Sequence, residues 1–227
     1  MSEPARALSI PVGDRIGAVD GILLLPPEAR LLYVLAHGAG AGMRHAFMES
    51  IAEALARAGV ATLRYQFPFT QSGGRRPDPP SVLEATARAA VAQARTLTGL
   101  AVIAGGKSMG GRMTSQAASR RALEGVRGLV FLGFPLHPSK QPGDARAMHL
   151  DLVRTPMLFV QGTRDDLASL DLMTNVVARL GERATMHVLE GANHAFALPK
   201  KLGRDEREVL DEIARVVARW GLALPSQ

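Results

Sequence analysis

Three side chains in this chain have the types needed for nucleophile, acid and base. Ser108 lies in Gly106-Lys107-Ser108-Met109-Gly110, a G-x-S-x-G string. It comes straight after the apolar run Ala101–Ala104 and just before a helix-compatible segment, Arg112 to Arg121. That order predicts a sharp strand-to-helix turn with the serine at its apex, and glycines two before and two after where the backbone crowds. Asp165 follows in Gly162-Thr163-Arg164-Asp165, and His194 in Gly191-Ala192-Asn193-His194. A serine hydroxyl is a poor nucleophile at neutral pH. A histidine beside it can take its proton during attack and return it to the leaving group. An acid on the far side of the ring holds the useful tautomer. The oxyanion that develops needs N–H donors aimed at it. Met109 supplies one, and Ala39 in the glycine-rich turn His37–Gly42 supplies the other. Ser108 alone also reads as an ordinary helix N-cap. A serine, an acid and a histidine in that chain order point instead to acyl transfer through a covalent serine.

Short apolar runs alternate with helical patterns. Val19–Leu25 and Leu31–Ala36 read as strands with Pro26-Pro27 between them, and antiparallel pairing is expected at that edge. Phe47, Ile51, Ala54, Leu55 and Ala58 keep helical spacing until Gly59. Val60–Phe67 is the next strand. Ser81-Val82-Leu83-Glu84 reads as a capping box opening a helix to about Thr96. Leu100–Gly105, Gly128–Gly133, Pro156–Gln161 and Ala184–Leu189 complete the strands. Helical stripes run from Leu172 to Leu180 and from Val209 to Trp220. The alternation predicts an α/β fold: a mostly parallel, doubly wound sheet covered on both faces, with residues 1–227 forming one domain. In such a sheet the functional loops leave the carboxyl ends of the strands. The candidate nucleophile, acid, base and oxyanion turn all fall at such exits.

Composition narrows the classes. The formal charge is +6, but the arginines are scattered and aromatic residues are only 4%, which leaves few stacking platforms for nucleic acid. There is no cysteine, hence no thiolate chemistry and no disulfide framework. No H-E-x-x-H or similar ligand spacing is present, so no metal is expected. Gly106-Lys107-Ser108 ends like a phosphate loop, but the required first glycine is Ala101. Gly38-x-Gly40 begins like a dinucleotide fingerprint, but its third glycine falls at Met43. No cofactor is expected. The first residues lack a basic stretch followed by an apolar one, and no apolar run approaches the ~20 residues of a membrane span. The expectation is a cytoplasmic protein acting on a small molecule, with no membrane partner. Its oligomeric state is not readable.

The strings His37-Gly38-Ala39-Gly40, Gly106-Lys107-Ser108-Met109-Gly110-Gly111, Gly162-Thr163-Arg164-Asp165 and Gly191-Ala192-Asn193-His194 together resemble the α/β-hydrolase superfamily along essentially the whole chain. The resemblance is closest to the small, lidless branch related to dienelactone hydrolases. Gly-Lys-Ser-Met-Gly-Gly-Arg further resembles a group of predicted hydrolases that is also similar to subunits of chromatin-associated assemblies. The resemblance implies a triad of Ser108, Asp165 and His194. Dienelactone hydrolases use a cysteine nucleophile and this chain has none, which argues against dienelactone itself as substrate. Asp166 neighbours Asp165, and the Gly-x-x-Asp spacing favours Asp165. His37 is read as a brace for the oxyanion turn. Possible pocket residues are His37, Gly38, Gly40, His45, Phe67, Phe69 and His137. The stretch from Phe134 to Thr155, where this fold inserts lids, is short and broken by Pro135, Pro138 and Pro142, so compact acyl groups are expected. The competing reading is a catalytically silent scaffold on the same fold.

Overall fold

A computed structural model describes residues 5–225. Eight strands form one sheet: β1 (Arg6–Gly13), β2 (Gly17–Leu24), β3 (Leu31–Ala36), β4 (Val60–Tyr65), β5 (Ala101–Lys107), β6 (Val126–Leu132), β7 (Met157–Arg164) and β8 (Ala184–Asn193). Their spatial order is β1-β2-β4-β3-β5-β6-β7-β8. β1 pairs antiparallel with β2, and β2 antiparallel with β4; every later pairing is parallel. The antiparallel edge matches expectation, but the partner does not. Pro26-Pro27 carries the chain over to β3 on the far side of β4, so β2 and β3 never pair. β1 escapes a pattern reading because Pro11 interrupts it, which an edge strand tolerates.

The central strands are apolar throughout because both faces are covered. Leu31, Tyr33 and Leu35 of β3 point to one side, where α1 (Ala46–Arg57) and α6 (Glu206–Ala223) pack with Ile51, Leu55, Ile213 and Val217. Leu32, Val34 and Ala36 point to the other, beneath α3 (Pro80–Leu97) and α4 (Met109–Arg120), while α5 (Leu170–Leu180) packs on β7 and β8. A short helix, α2 (Pro68–Gln71), follows β4. Each fully buried aliphatic side chain contributes about 1.5–3 kcal/mol. Tyr33 is buried among them, and its hydroxyl donates to the Val130 carbonyl at 2.9 Å.

Helix boundaries follow capping chemistry. The Asp205 side chain accepts from the Glu208 N–H at the start of α6, and Glu208 reaches back to the Asp205 N–H. The box expected at Ser81 does not form. Pro80 occupies the first helical position with Pro79 as the N-cap, so the helix starts two residues earlier and Ser81 lies inside it. The Phe134–Thr155 stretch holds a 3-10 helix, Ala145–Leu152, with Ala147 and Leu150 buried. It packs down on α4 and carries no separate layer. No helix among the described residues is long and apolar enough to cross a membrane.

Candidate active site

The parallel strands deliver their exits to one edge of the sheet. β5 ends at Lys107, and Ser108 follows with φ 51° and ψ −117°. This positive-φ conformation is rare for a residue with a Cβ. The turn is possible because its flanks are bare. A Cβ on Gly106 would lie 2.3 Å from the Ala36 carbonyl oxygen, and one on Gly110 2.5 Å from that of His37. Any other residue at either position would push β5 and α4 away from β3. The Ser108 N–H is held by the Leu132 carbonyl at 3.1 Å.

The structure brings Ser108, His194 and Asp165 into one hydrogen-bonded line. His194 Nε2 lies 2.9 Å from Ser108 Oγ, and His194 Nδ1 lies 2.8 Å from Asp165 Oδ2. A carboxylate only accepts, so the ring proton sits on Nδ1 and Nε2 turns its lone pair to the serine. Asp165 is buried, and burial by itself would push its carboxyl up. The hydrogen bond and charge of His194, the Leu167 N–H and the Lys107 cation outweigh that and hold it below the usual carboxylate range. The Leu167 N–H donates to Oδ1 at 2.9 Å, and Gln161 Nε2 donates to Oδ2 at 2.6 Å. Asp166 is exposed, takes the Ser139 hydroxyl at 3.1 Å, and lies outside this line.

His194 sits on a tight turn after β8. Asn193 Oδ1 accepts the N–H groups of Ala195 and Ala197, each at 3.0 Å, and the Phe196 N–H returns to the Asn193 carbonyl at 2.9 Å. Lys107 Nζ donates to the carbonyl of His194 itself at 2.6 Å. Lys107 and Gln161 have no counterpart in the sequence reading. The only signal for either was a polar residue in an otherwise apolar strand.

The oxyanion turn leaves β3 beside the elbow. A Cβ on Gly38 would lie 3.7 Å from Ser108 Cβ, so this turn passes directly against the serine. Among the described residues, no protein acceptor takes the main-chain N–H of Ala39 or of Met109. His37 is fully buried behind the turn. The Phe67 N–H donates to its Nε2 at 3.1 Å, which leaves Nδ1–H to donate to the Gly38 carbonyl at 2.8 Å. Burial keeps this imidazole below its ordinary pKa, and the Gly38 bond only partly opposes that.

The remaining pocket candidates scatter. Phe67 is fully buried in an aromatic cluster with Tyr65, His37 and Phe69, so it supports the oxyanion turn from beneath instead of forming a wall. Phe69 is buried in the same cluster. His45 is the N-cap of α1, accepting from the Phe47 N–H at 3.2 Å, and borders a shallow cleft with Phe47 and Phe196. His137 is buried with Nδ1 on the Pro138 carbonyl at 2.9 Å. Gly40 is exposed in the turn.

Solved structures with the same fold include a dienelactone hydrolase from Anabaena variabilis, 23% identical, with a TM-score of 0.77 over 98% of this chain and 99% of that one. XC6422 from Xanthomonas campestris, a serine hydrolase without a lid, is 19% identical with a TM-score of 0.73 over 100% and 98%. Est1E from Butyrivibrio proteoclasticus is 18% identical with a TM-score of 0.69 over 96% and 99%. The fold is thus that of the lidless α/β hydrolases related to dienelactone hydrolases. Residues 29–221 match the alpha/beta hydrolase domain family, and the chain belongs to that family.

Proposed function

We propose that this protein is a serine hydrolase that cleaves an ester or similar acyl bond of a small substrate through an acyl-serine intermediate. The observation that carries this reading is the continuous line Ser108 Oγ–His194–Asp165, with steps of 2.9 and 2.8 Å, built on a positive-φ turn. As Ser108 Oγ attacks the carbonyl carbon, its proton passes to His194 Nε2. Asp165, ionised and held by three donors, stabilises the imidazolium without taking a proton. The carbonyl oxygen becomes an oxyanion facing the free N–H groups of Met109 and Ala39. Collapse breaks the bond to the leaving group, which takes the proton back from Nε2. Water then repeats the sequence on the acyl-serine and releases the acid.

Among the described residues no layer covers the site, because the Ala145–Leu152 helix lies down on α4. A site open to water buries little of a long acyl chain, where each buried CH₂ would contribute about 0.8 kcal/mol. Short or compact acyl groups fit this best.

A fluorophosphonate probe tests the reading. Wild-type protein should label stoichiometrically at Ser108 and turn over p-nitrophenyl acetate. Ser108→Ala should not label and should lose on the order of 10⁴–10⁶ in kcat, since the triad acts as one unit. A wild-type protein that does not label is a scaffold, and the proposal is then wrong.

A further inference from the structure

The residue immediately before the nucleophile has a role of its own. Lys107 ends β5, and its side chain folds back into the protein. Nζ donates to the His194 carbonyl at 2.6 Å. It lies 5.1 Å from the ring centre of Phe196 and 5.9 Å from that of Phe47, rings that stack on each other at 5.9 Å. A Cβ on Gly133 would approach Nζ to 3.0 Å, so the glycine after β6 leaves the space the ammonium occupies. The charged and titratable groups facing it are Asp165 at the exit of β7, which acts through space, and His194 at the exit of β8. α1 and the loop after β8 present the two aromatic rings, and the oxyanion turn presents Gly38.

Lys107 is half-buried, and a strongly hydrated ammonium seldom gives up even part of its water without a direct carboxylate partner. Here its compensation is one charge-assisted hydrogen bond and two ring faces. The acceptor of that bond is the main chain of the residue that must stay aligned with the serine next door. Ser108 and His194 are therefore tied twice. One tie joins their side chains, and the other runs from the His194 backbone through Lys107 to the serine's own backbone. A two-point attachment fixes distance and angle where one bond fixes distance alone.

We infer that Lys107 is a positioning residue whose caged ammonium clamps the His194 carbonyl and holds the imidazole in line with Ser108. The inference rests on the serine-hydrolase reading above. It separates Lys107 from a packing role through its titration. Burial lowers the ammonium pKa to about 8, against the pull of Asp165. Above that pH the neutral amine is a weaker donor and loses its attraction to the rings. The clamp loosens, and kcat steps down to a lower plateau instead of vanishing.

The test is the pH profile of kcat and KM for p-nitrophenyl acetate between about pH 6 and about 10, spanning that titration. Lys107→Met keeps the length and apolar stem. It should lower kcat about 10- to 100-fold, the size of one charge-assisted hydrogen bond, with KM little changed and the alkaline step gone. Phe47→Leu removes one ring face from α1, outside the histidine turn. It should keep the full neutral plateau and move the alkaline step down by about half a pH unit. Folded Lys107→Met with wild-type kcat, or with the step intact, overturns the inference. If Lys107→Met does not fold, an unmoved step in Phe47→Leu overturns it. Fluorophosphonate labelling distinguishes the two levels. A wild type that labels while both variants behave as wild type removes only the clamp, whereas a wild type that does not label removes the hydrolase reading with it.

Discussion

Two serine–histidine hydrogen bonds occur among the described residues, and their lengths nearly coincide. Ser108 and His194 meet at 2.9 Å; Ser115 and His149 meet at 2.8 Å. The second pair has none of what surrounds the first. Ser115 lies in the body of α4, fully buried, and its hydroxyl already donates to the Arg112 carbonyl at 2.8 Å. N–H groups inside a helix are taken by carbonyls one turn back, so none is free to receive an oxyanion. No carboxylate among the described residues hydrogen-bonds His149. Burial first, and the Arg112 cation second, lower its pKa to about 4, against weaker opposition from the Arg146 backbone and Asp151. A ring so reluctant to take a proton is a poor general base. The contrast shows that the distance between serine and imidazole decides little. The carboxylate behind the ring and the positive-φ turn under the serine set the first pair apart, and on the proposed reading they suit it to chemistry while the second pair serves packing.

The sharpest way to break this comparison is to take the carboxylate from the first pair. Asp165→Asn should lose about 10⁴-fold in kcat, as expected when the base loses its orienting acid. Asp166→Asn should stay within about twofold, as for other exposed positions. Reversed outcomes for the two variants, in side-by-side ester kinetics, would move the acid one residue along the loop.

The second pair should register in stability instead. Unfolded imidazole protonates at about 6.5, whereas folded His149 resists protonation down to about 4. Between those values the unfolded chain binds more protons. The stabilisation is therefore complete above about pH 6.5, shrinks as pH falls through that window, and is gone below about 4, amounting to about 3 kcal/mol at most. His149→Gln keeps a donor for Ser115 but cannot titrate, so its urea midpoint should change less between about pH 7 and about pH 5 than that of wild type. Ser115→Ala leaves a ring nitrogen unpaired at a cost of about 1–2 kcal/mol, partly offset by the helix preference of alanine. Its kcat should remain within about twofold of wild type. Loss of activity in Ser115→Ala comparable to that of Ser108→Ala would erase the distinction between the pairs.

The features legible in the sequence follow a physical pattern. The central strands announce themselves because a strand buried on both faces must be apolar along its length, as in Leu31–Ala36. Strand exits then locate Ser108, Asp165 and His194, because polar residues just past such runs have nowhere to go but the carboxyl edge. Edges and depth are less legible. β1 carries Pro11, and β2 pairs with β4 across a connection that sequence order conceals. The start of α3 answers to Pro79-Pro80 and not to the Ser81 hydroxyl. Phe67 and Phe69 follow a strand exit just as the site residues do, yet α2 turns them inward. Lys107 gains its partner only through the order of the sheet, which brings the turn after β8 within reach of β5. Gln161 meets Asp165 only four residues on, where the chain turns at the exit of β7, a closure that residue types alone do not show.

The conformation of Ser108 places the chemistry and the thermodynamics of this chain in opposition. A side-chain-bearing residue at φ 51° and ψ −117° raises the energy of the folded state by about 1–3 kcal/mol. Glycine adopts that region freely. Ser108→Gly should therefore be inert toward esters and yet melt above wild type. A lower melting temperature would mean that the turn is relaxed rather than strained. On the proposed reading, the nucleophile holds the apex of the turn at a cost in stability that glycine would not carry.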